Sequence, residues 1–530
     1  MQLEGVRMKK KILSYIALAS LAVSAICILL ITKLRLGKIK PIPNCPLRFL
    51  VSERDKLIRF HPQEFSKPVP HVKVPQHPYM APNPGSNMHC DAYISDTYEA
   101  SGPLGINSEV ISRTEGFGGY GTIAFDSKRR LVGVYGNGMK LRLELMDPDT
   151  LEKLGSYDLP PRSWTFFFRG IRPWEYLGAG MYFYLDHNDC AVVPTTRNTL
   201  QVVQAPDMVK LKKFELVREY DLAKYMVPGK DDSPAFVLPD WDGKYYWFAS
   251  VQGVVGTINV DTGIVRSMRL QGELVENSFA VGEDGVFIIS DQAMYRFSHD
   301  GTGKPVIDWR TGYSKAAERK AGLISVGSGT SVTITGTPED GLIVIADNAE
   351  PRINLLFIKR SDGAVVCSMP LFEEGKSATD LTAIAFAHAD ESGKGNGVYS
   401  AIVENNWGPH TFPFSRPVEP GLTRVDSIRN KDGTYTCKEI WSTNEKSVGG
   451  FRLSMGNGLV YIYDRVVSCC KSKWYLTAID FKTGETVYKK LIGTGIGYNN
   501  WQGSLWLHPK GGIAISTTIF GVVMVRDTGT

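Results

Sequence analysis

A recurring hairpin governs how this chain can fold. From Trp474 to Lys489 an alternating apolar stretch runs into Asp480-Phe481-Lys482-Thr483-Gly484, and alternation resumes beyond it. That pattern predicts two antiparallel strands joined by a tight turn, because Asp, Thr and Gly supply the side-chain acceptors and left-handed backbone a short turn needs. Weaker copies lie at Gly256 to Val265, Leu145 to Leu151 and Phe357 to Val365. A strand pair returning every ~40–50 residues along a long chain predicts radial repetition, an all-β propeller.

Between Tyr120 and Arg526 the chain divides into units, each opening on an apolar strand and turning at an Asp, Gly or Asn cluster. The units run Tyr120 to Leu159, Met181 to Leu222, Ala235 to Leu270, Asn277 to Trp309, Thr330 to Phe372, Leu381 to Trp441, Phe451 to Leu491, and Asn500 to Arg526. The parse gives eight blades, with seven as the runner-up because the sixth unit is long and irregular. The last unit has three strands only. An open ring leaves a row of unpaired amides, so a segment between Leu47 and Ser112 is expected to close it, with Leu47 to Phe60 able to form a strand. No helix-period segment of useful length follows the N-terminal stretch.

The copy at Trp474 to Lys489 resembles the outer-strand repeat of quinoprotein-type propellers, Ala-x-Asp-x-x-Thr-Gly-x-x-x-Trp, although Tyr488 stands two places short of the Trp. That resemblance implies an eight-bladed ring. It also brings in a quinoprotein oxidoreductase as a third functional reading, with Glu404, Asn405 and Trp407 or Trp501 as counterparts of its cation pair and stacking ring.

Ile12 to Thr32 carries no charge and is flanked by Arg7, Lys9, Lys10 and Lys11 before and Lys33, Arg35, Lys38 and Lys40 after. Some twenty apolar residues suffice for one transmembrane helix. The expectation is an uncleaved membrane anchor with the propeller outside the cytoplasm, periplasmic or at the cell surface; a cleaved signal peptide is the alternative. Residues 1–40 are thus anchor and flanks, 41–112 a proline-rich stalk and ring-closing segment, and 113–530 the propeller. Net charge is +5 over 530 residues, and part of the excess flanks the apolar run, so no nucleic-acid surface is inferred. The eight cysteines include no Cys-x-x-Cys pair, which excludes a zinc knuckle or thioredoxin-like motif.

Blade topology then sorts the polar residues. Residues entering the first strand or leaving the second of each unit share one mouth of the ring, here the near mouth. The acidic turns between first and second strands lie at the far mouth and serve turn chemistry. The near mouth collects Asn277, Asp347, Asn348, Glu404 and Asn405. Oxygen-rich sets of this kind suit calcium, which takes carboxylate, amide and backbone oxygens. The set is similar to that of calcium-dependent lactonase and arylesterase propellers, which implies calcium as cofactor and hydrolysis of an ester or lactone. Those five residues would be the metal ligands and His89, in Met88-His89-Cys90-Asp91, the base, with that segment covering the near mouth. The alternative is a non-catalytic interaction scaffold at the membrane. Cys469-Cys470 is a candidate vicinal disulfide, again by resemblance to quinoprotein alcohol dehydrogenases.

Overall fold

The turn that marks the repeat shows why the hairpins form. Asp480 Oδ1 accepts the amides of Lys482 and Thr483 at 2.9 and 2.8 Å. Gly484 sits at φ 75°, a left-handed conformation that a side chain resists. Asp147 and Asn259 play the Asp480 part in two other blades. Each hairpin is therefore locally specified. Its strands then pack by alternation.

A computed structural model describes residues 64, 66–137, 140–162, 180–230, 232–389, 397–408, 418–468, 471–500 and 502–528. The run Ile12 to Thr32, the expected strand Leu47 to Phe60, Trp501 and Cys469-Cys470 lie outside them. Eight antiparallel sheets form the ring. Their strands span Gly119 to Leu159, Tyr184 to Asp221, Pro234 to Arg269, Ala280 to Gly312, Thr333 to Pro370, Ile384 to Thr443, Arg452 to Thr494, and Leu505 to Asp527. The count is eight, against six in the lactonase-type propellers. Among the described residues no helix is long and apolar enough to cross a membrane.

Burial falls outward across each blade. The second strands Leu342–Ala346 and Val398–Glu404 are buried along their whole length, whereas the outermost Glu215–Asp221 and Pro305–Gly312 are largely exposed. Inner strands are sandwiched between neighbouring blades, so both faces of the sheet are apolar there. Aromatic residues on outer strands lock adjacent blades. Trp441 of the sixth blade donates its indole N–H to the Phe481 carbonyl at 2.8 Å and covers Gly484, whose missing Cβ would meet the ring at 2.7 Å. Trp309 does the same two interfaces earlier, bonding the Arg360 carbonyl at 3.2 Å and covering Gly363. The repeat's docking aromatic is thus supplied by the preceding blade. Cys367 and Cys437, on the outer strands of the fifth and sixth blades, form a disulfide with Cα atoms 6.1 Å apart.

Closure comes from the N-terminal side. Ser108–Thr114 pairs antiparallel with Gly521–Asp527, register Ser108 to Asp527 through Thr114 to Gly521, and completes the eighth blade. The Asp527 carboxylate also accepts the amides of Leu104 and Gly105 at 2.6 and 3.1 Å.

Candidate functional site

Residues 66–107 form no stalk. They cross the far mouth and send a loop into the axis. Lys67 and Val69 donate their amides to Asn457 and Met455 in a far-mouth turn of the seventh blade. Met80 bridges Asp186 in the second blade, and Gly85 accepts from Phe125 in the first. The chain then dips inward. Ala92 and Tyr93 accept the amides of Val281 and Ile334 from inner strands of the fourth and fifth blades. Thr97–Tyr98 returns as a fifth, parallel strand on Arg452–Ser454, and Ser101 accepts from Gly512 at the far mouth of the eighth blade. Ser86, Cys90, Ile94, Ser95, Asp96 and Tyr98 are buried. The loop plugs the ring from the far side, and its tip, Met88-His89, is the floor of the near mouth. His89 approaches that mouth from within the ring; it does not cover it from outside.

At the tip, His89 Nδ1 lies 3.1 and 3.2 Å from the two Asp96 carboxylate oxygens. A carboxylate only accepts, so Nδ1 carries the proton and Nε2 is left as acceptor. Nε2 lies 3.4 Å from Ser331 Oγ, and the ring stacks on Tyr182 with centroids 6.5 Å apart. Buried Arg452 holds Asp96 from the other side at 3.2 Å and donates to the Met88 carbonyl at 2.7 Å. Asp91 accepts the Ser95 hydroxyl at 2.5 Å, and burial pushes its carboxyl up to about 7. The tip is held from three sides and carries one imidazole nitrogen free of the dyad bond.

All five expected metal ligands flank the near mouth, but most of their side chains serve nearby backbone. Asp347 Oδ1 accepts the amides of Asn354 and Ala349 at 2.6 and 3.1 Å, and Oδ2 accepts Asn354 Nδ2 at 2.8 Å. Asn405 Oδ1 caps Ala378 and Trp407, and Nδ2 donates to Lys376 at 2.9 Å. Asn277 and Asn348 donate to the carbonyls of Ser328 and Val326 at 2.7 and 3.0 Å. Glu404 differs. It is fully buried, Oε1 accepts Asn406 Nδ2 at 2.8 Å, and Oε2 has no hydrogen-bond partner. The neighbouring Ser447 hydroxyl donates to the Gly449 carbonyl at 2.8 Å. Burial raises the Glu404 carboxyl to about 8. Among the described residues no group of three or more His, Cys, Asp or Glu is placed to hold a metal ion.

Two further carboxyls face the same mouth. Asp380 and Glu276 keep some solvent exposure, yet desolvation by surrounding protein raises both; the Glu276 charge adds to the rise at Asp380, and the Asp291 charge to that at Glu276. Both belong to the wall of that mouth, each just ahead of the inner strand of its blade. Tyr182, which feels the Asp380 charge, lies on that wall beside His89. Sequence reasoning found His89 but missed Asp96, Arg452, Ser331, Asp380 and Glu276. Asp96 alone left a signal, a second polar residue in the same short loop.

No protein-family model matches the chain. An uncharacterized protein of Archaeoglobus fulgidus is 22% identical over 301 residues, 50% of this chain and 55% of that protein. The chain therefore spans about half the length of the curated relative it matches. Solved structures with a similar fold include the β-propeller domain of Myceliophteria thermophila Cps50 (Swd1), at TM-score 0.37 and 11% identity over 66% of this chain and 98% of that one. BamB from Moraxella catarrhalis gives 0.34 and 12% over 79% and 95%. These likenesses concern fold alone.

Proposed function

We propose that the near mouth is an acid–base site hydrolysing an ester or lactone, with His89 as general base and Asp96 as its orienting partner. The observation that carries this reading is the Asp96–His89 contact at 3.1 Å at the tip of the axial loop, with Nε2 turned away from the carboxylate. A positioned imidazole of this kind accelerates proton transfer by ~10²–10⁴-fold. On the wall of the same mouth, burial and the neighbouring Glu276 charge raise the Asp380 carboxyl well above the usual carboxylate range. The same reading keeps the propeller outside the cytoplasm and tethered through Ile12 to Thr32; the Cys367–Cys437 disulfide supports an oxidising compartment.

Purified protein assayed against a panel of p-nitrophenyl esters and five- and six-membered lactones tests the proposal. Hydrolysis that His89→Gln lowers at least ~100-fold at unchanged melting temperature supports it. Absence of hydrolysis across the panel, or activity indifferent to His89, overturns it. One observation favours a cation assisting this chemistry: Glu404 Oε2 and Asn348 Oδ1 are buried acceptors with no hydrogen-bond partner. Calcium at Glu404 would supply Lewis-acid polarisation of the substrate carbonyl. A scaffold reading is favoured instead by Met208, Val209, Leu216 and Val217, apolar and exposed on the rim of the second blade.

A further inference from the structure

We infer that Ser331 is the nucleophile of the proposed hydrolysis, forming a covalent acyl intermediate with His89 and Asp96 as its relay. The inference rests on the acid–base reading of the near mouth and deepens it. Three side chains carry it, and they come from separate parts of the fold. Asp96 and His89 belong to the axial loop, and Ser331 enters the inner strand Thr333–Thr335 of the fifth blade. Their atoms run in series: Asp96 Oδ1 to His89 Nδ1 at 3.1 Å, then His89 Nε2 to Ser331 Oγ at 3.4 Å. Hydroxyl, imidazole and carboxylate in that order constitute an activated nucleophile recognised by geometry and not by sequence position. The second distance is longer than an ideal hydrogen bond, as is common before a substrate closes the site.

The surroundings hold the series in place. Arg452 fixes Asp96 from behind at 3.2 Å, and Tyr182 stacks along the imidazole. The neighbouring hydroxyls have other partners: Ser328 Oγ and Thr330 Oγ1 bond each other at 3.0 Å. Ser331 alone is turned to the base.

In the first step Ser331 Oγ bonds to the carbonyl carbon, its proton passes to His89 Nε2, and the carbonyl π pair moves onto oxygen. That pair returns as the bond to the leaving alkoxide breaks, and the alkoxide takes the proton from His89. Water then attacks the acyl carbon, yields a proton to His89, and the Ser331 ester bond breaks as Oγ recovers that proton. The net change is ester plus water to acid plus alcohol; with a lactone the alcohol stays tethered to the acyl group. Nothing is oxidised or reduced.

A fluorophosphonate probe and the hydrolysis assay together test this. Full-length wild-type protein should acquire the phosphonyl mass on the peptide containing Ser331, with labelling lost in His89→Gln and Ser331→Ala. Ser331→Ala should lower hydrolysis ~10³-fold or more at unchanged melting temperature, and Ser331→Cys should restore labelling by iodoacetamide if the alanine variant folds poorly. Hydrolysis that needs His89 yet survives Ser331→Ala, without an adduct, overturns the nucleophile and leaves the acid–base site standing with water attacking directly. Neither hydrolysis nor labelling in the wild type overturns both.

Discussion

Glu404 offers a sharp test of what the near mouth holds. Its carboxyl is fully buried, makes one hydrogen bond from Asn406, and is raised to about 8 from an ordinary carboxyl value of 4.5. The folded state therefore keeps a proton that the unfolded chain gives up above pH 4.5. Stability from this group is fully present below pH 4.5, declines as pH rises, and is lost once pH passes 8. At ~1.4 kcal/mol per pH unit, the loss is roughly 3 kcal/mol by pH 7 and nearer 5 by pH 8. Gln matches the neutral carboxyl in shape and can still accept from Asn406, but it does not titrate. Guanidinium unfolding of wild type and Glu404→Gln in chelator-treated buffer should give similar stabilities at pH 5. At pH 8.5 the variant should be the more stable by several kcal/mol. Calcium predicts the opposite: with the cation present the wild type would gain stability, chelation would remove the gain, and Glu404→Gln would abolish both effects. A difference between the two proteins that is independent of pH, with no chelator effect, would refute the buried neutral carboxyl and the cation alike.

Trp441→Ala removes a buried indole, its bond to Phe481 and the cover of Gly484, and should cost ~3–5 kcal/mol in chemical denaturation. Removing residues 66–114 should abolish cooperative unfolding, since the deletion opens the eighth blade and empties the axis, whereas removing Met1 to Lys40 should leave the melting transition of the propeller in place. Calorimetry on both truncations checks this.

The blades were legible because their information is local. An Asp or Asn accepting a Thr amide ahead of a left-handed residue leaves the same mark at Asp480, Asn259 and Asp147, with Gly484, Gly263 and Leu151 in the left-handed place. The missing eighth strand could likewise be inferred from a unit that ended one strand early. The axial loop could not. Its prolines deny it a period, and its hydrogen bonds go to inner strands of blades hundreds of residues away, as with Ser331 and His89 at a separation of 242. Asp347 and Asn405 show a different limit. An Asp or Asn at a strand end looks the same whether it binds a cation or caps a turn, and here both side chains bond local amides. Tyr488 marks no docking Trp within its own repeat, because the aromatic over Gly484 arrives from the preceding blade as Trp441.

The axial loop is synthesised before any blade, yet its partners in the ring all come later. Tyr93 meets its strand only when Ile334 has been made, Asp96 waits for Arg452, and Ser101 waits for Gly512. During translation the loop therefore lacks its ring contacts and is a polar thread around which the blades must assemble one after another. His89 and Asp96 are near neighbours in the chain, but the cation that pins their carboxylate arrives with the seventh blade. A ribosome that stopped after six blades would release most of a propeller with its dyad still unfixed. The near mouth is thus completed last, and its function is tied to the finishing of the whole chain.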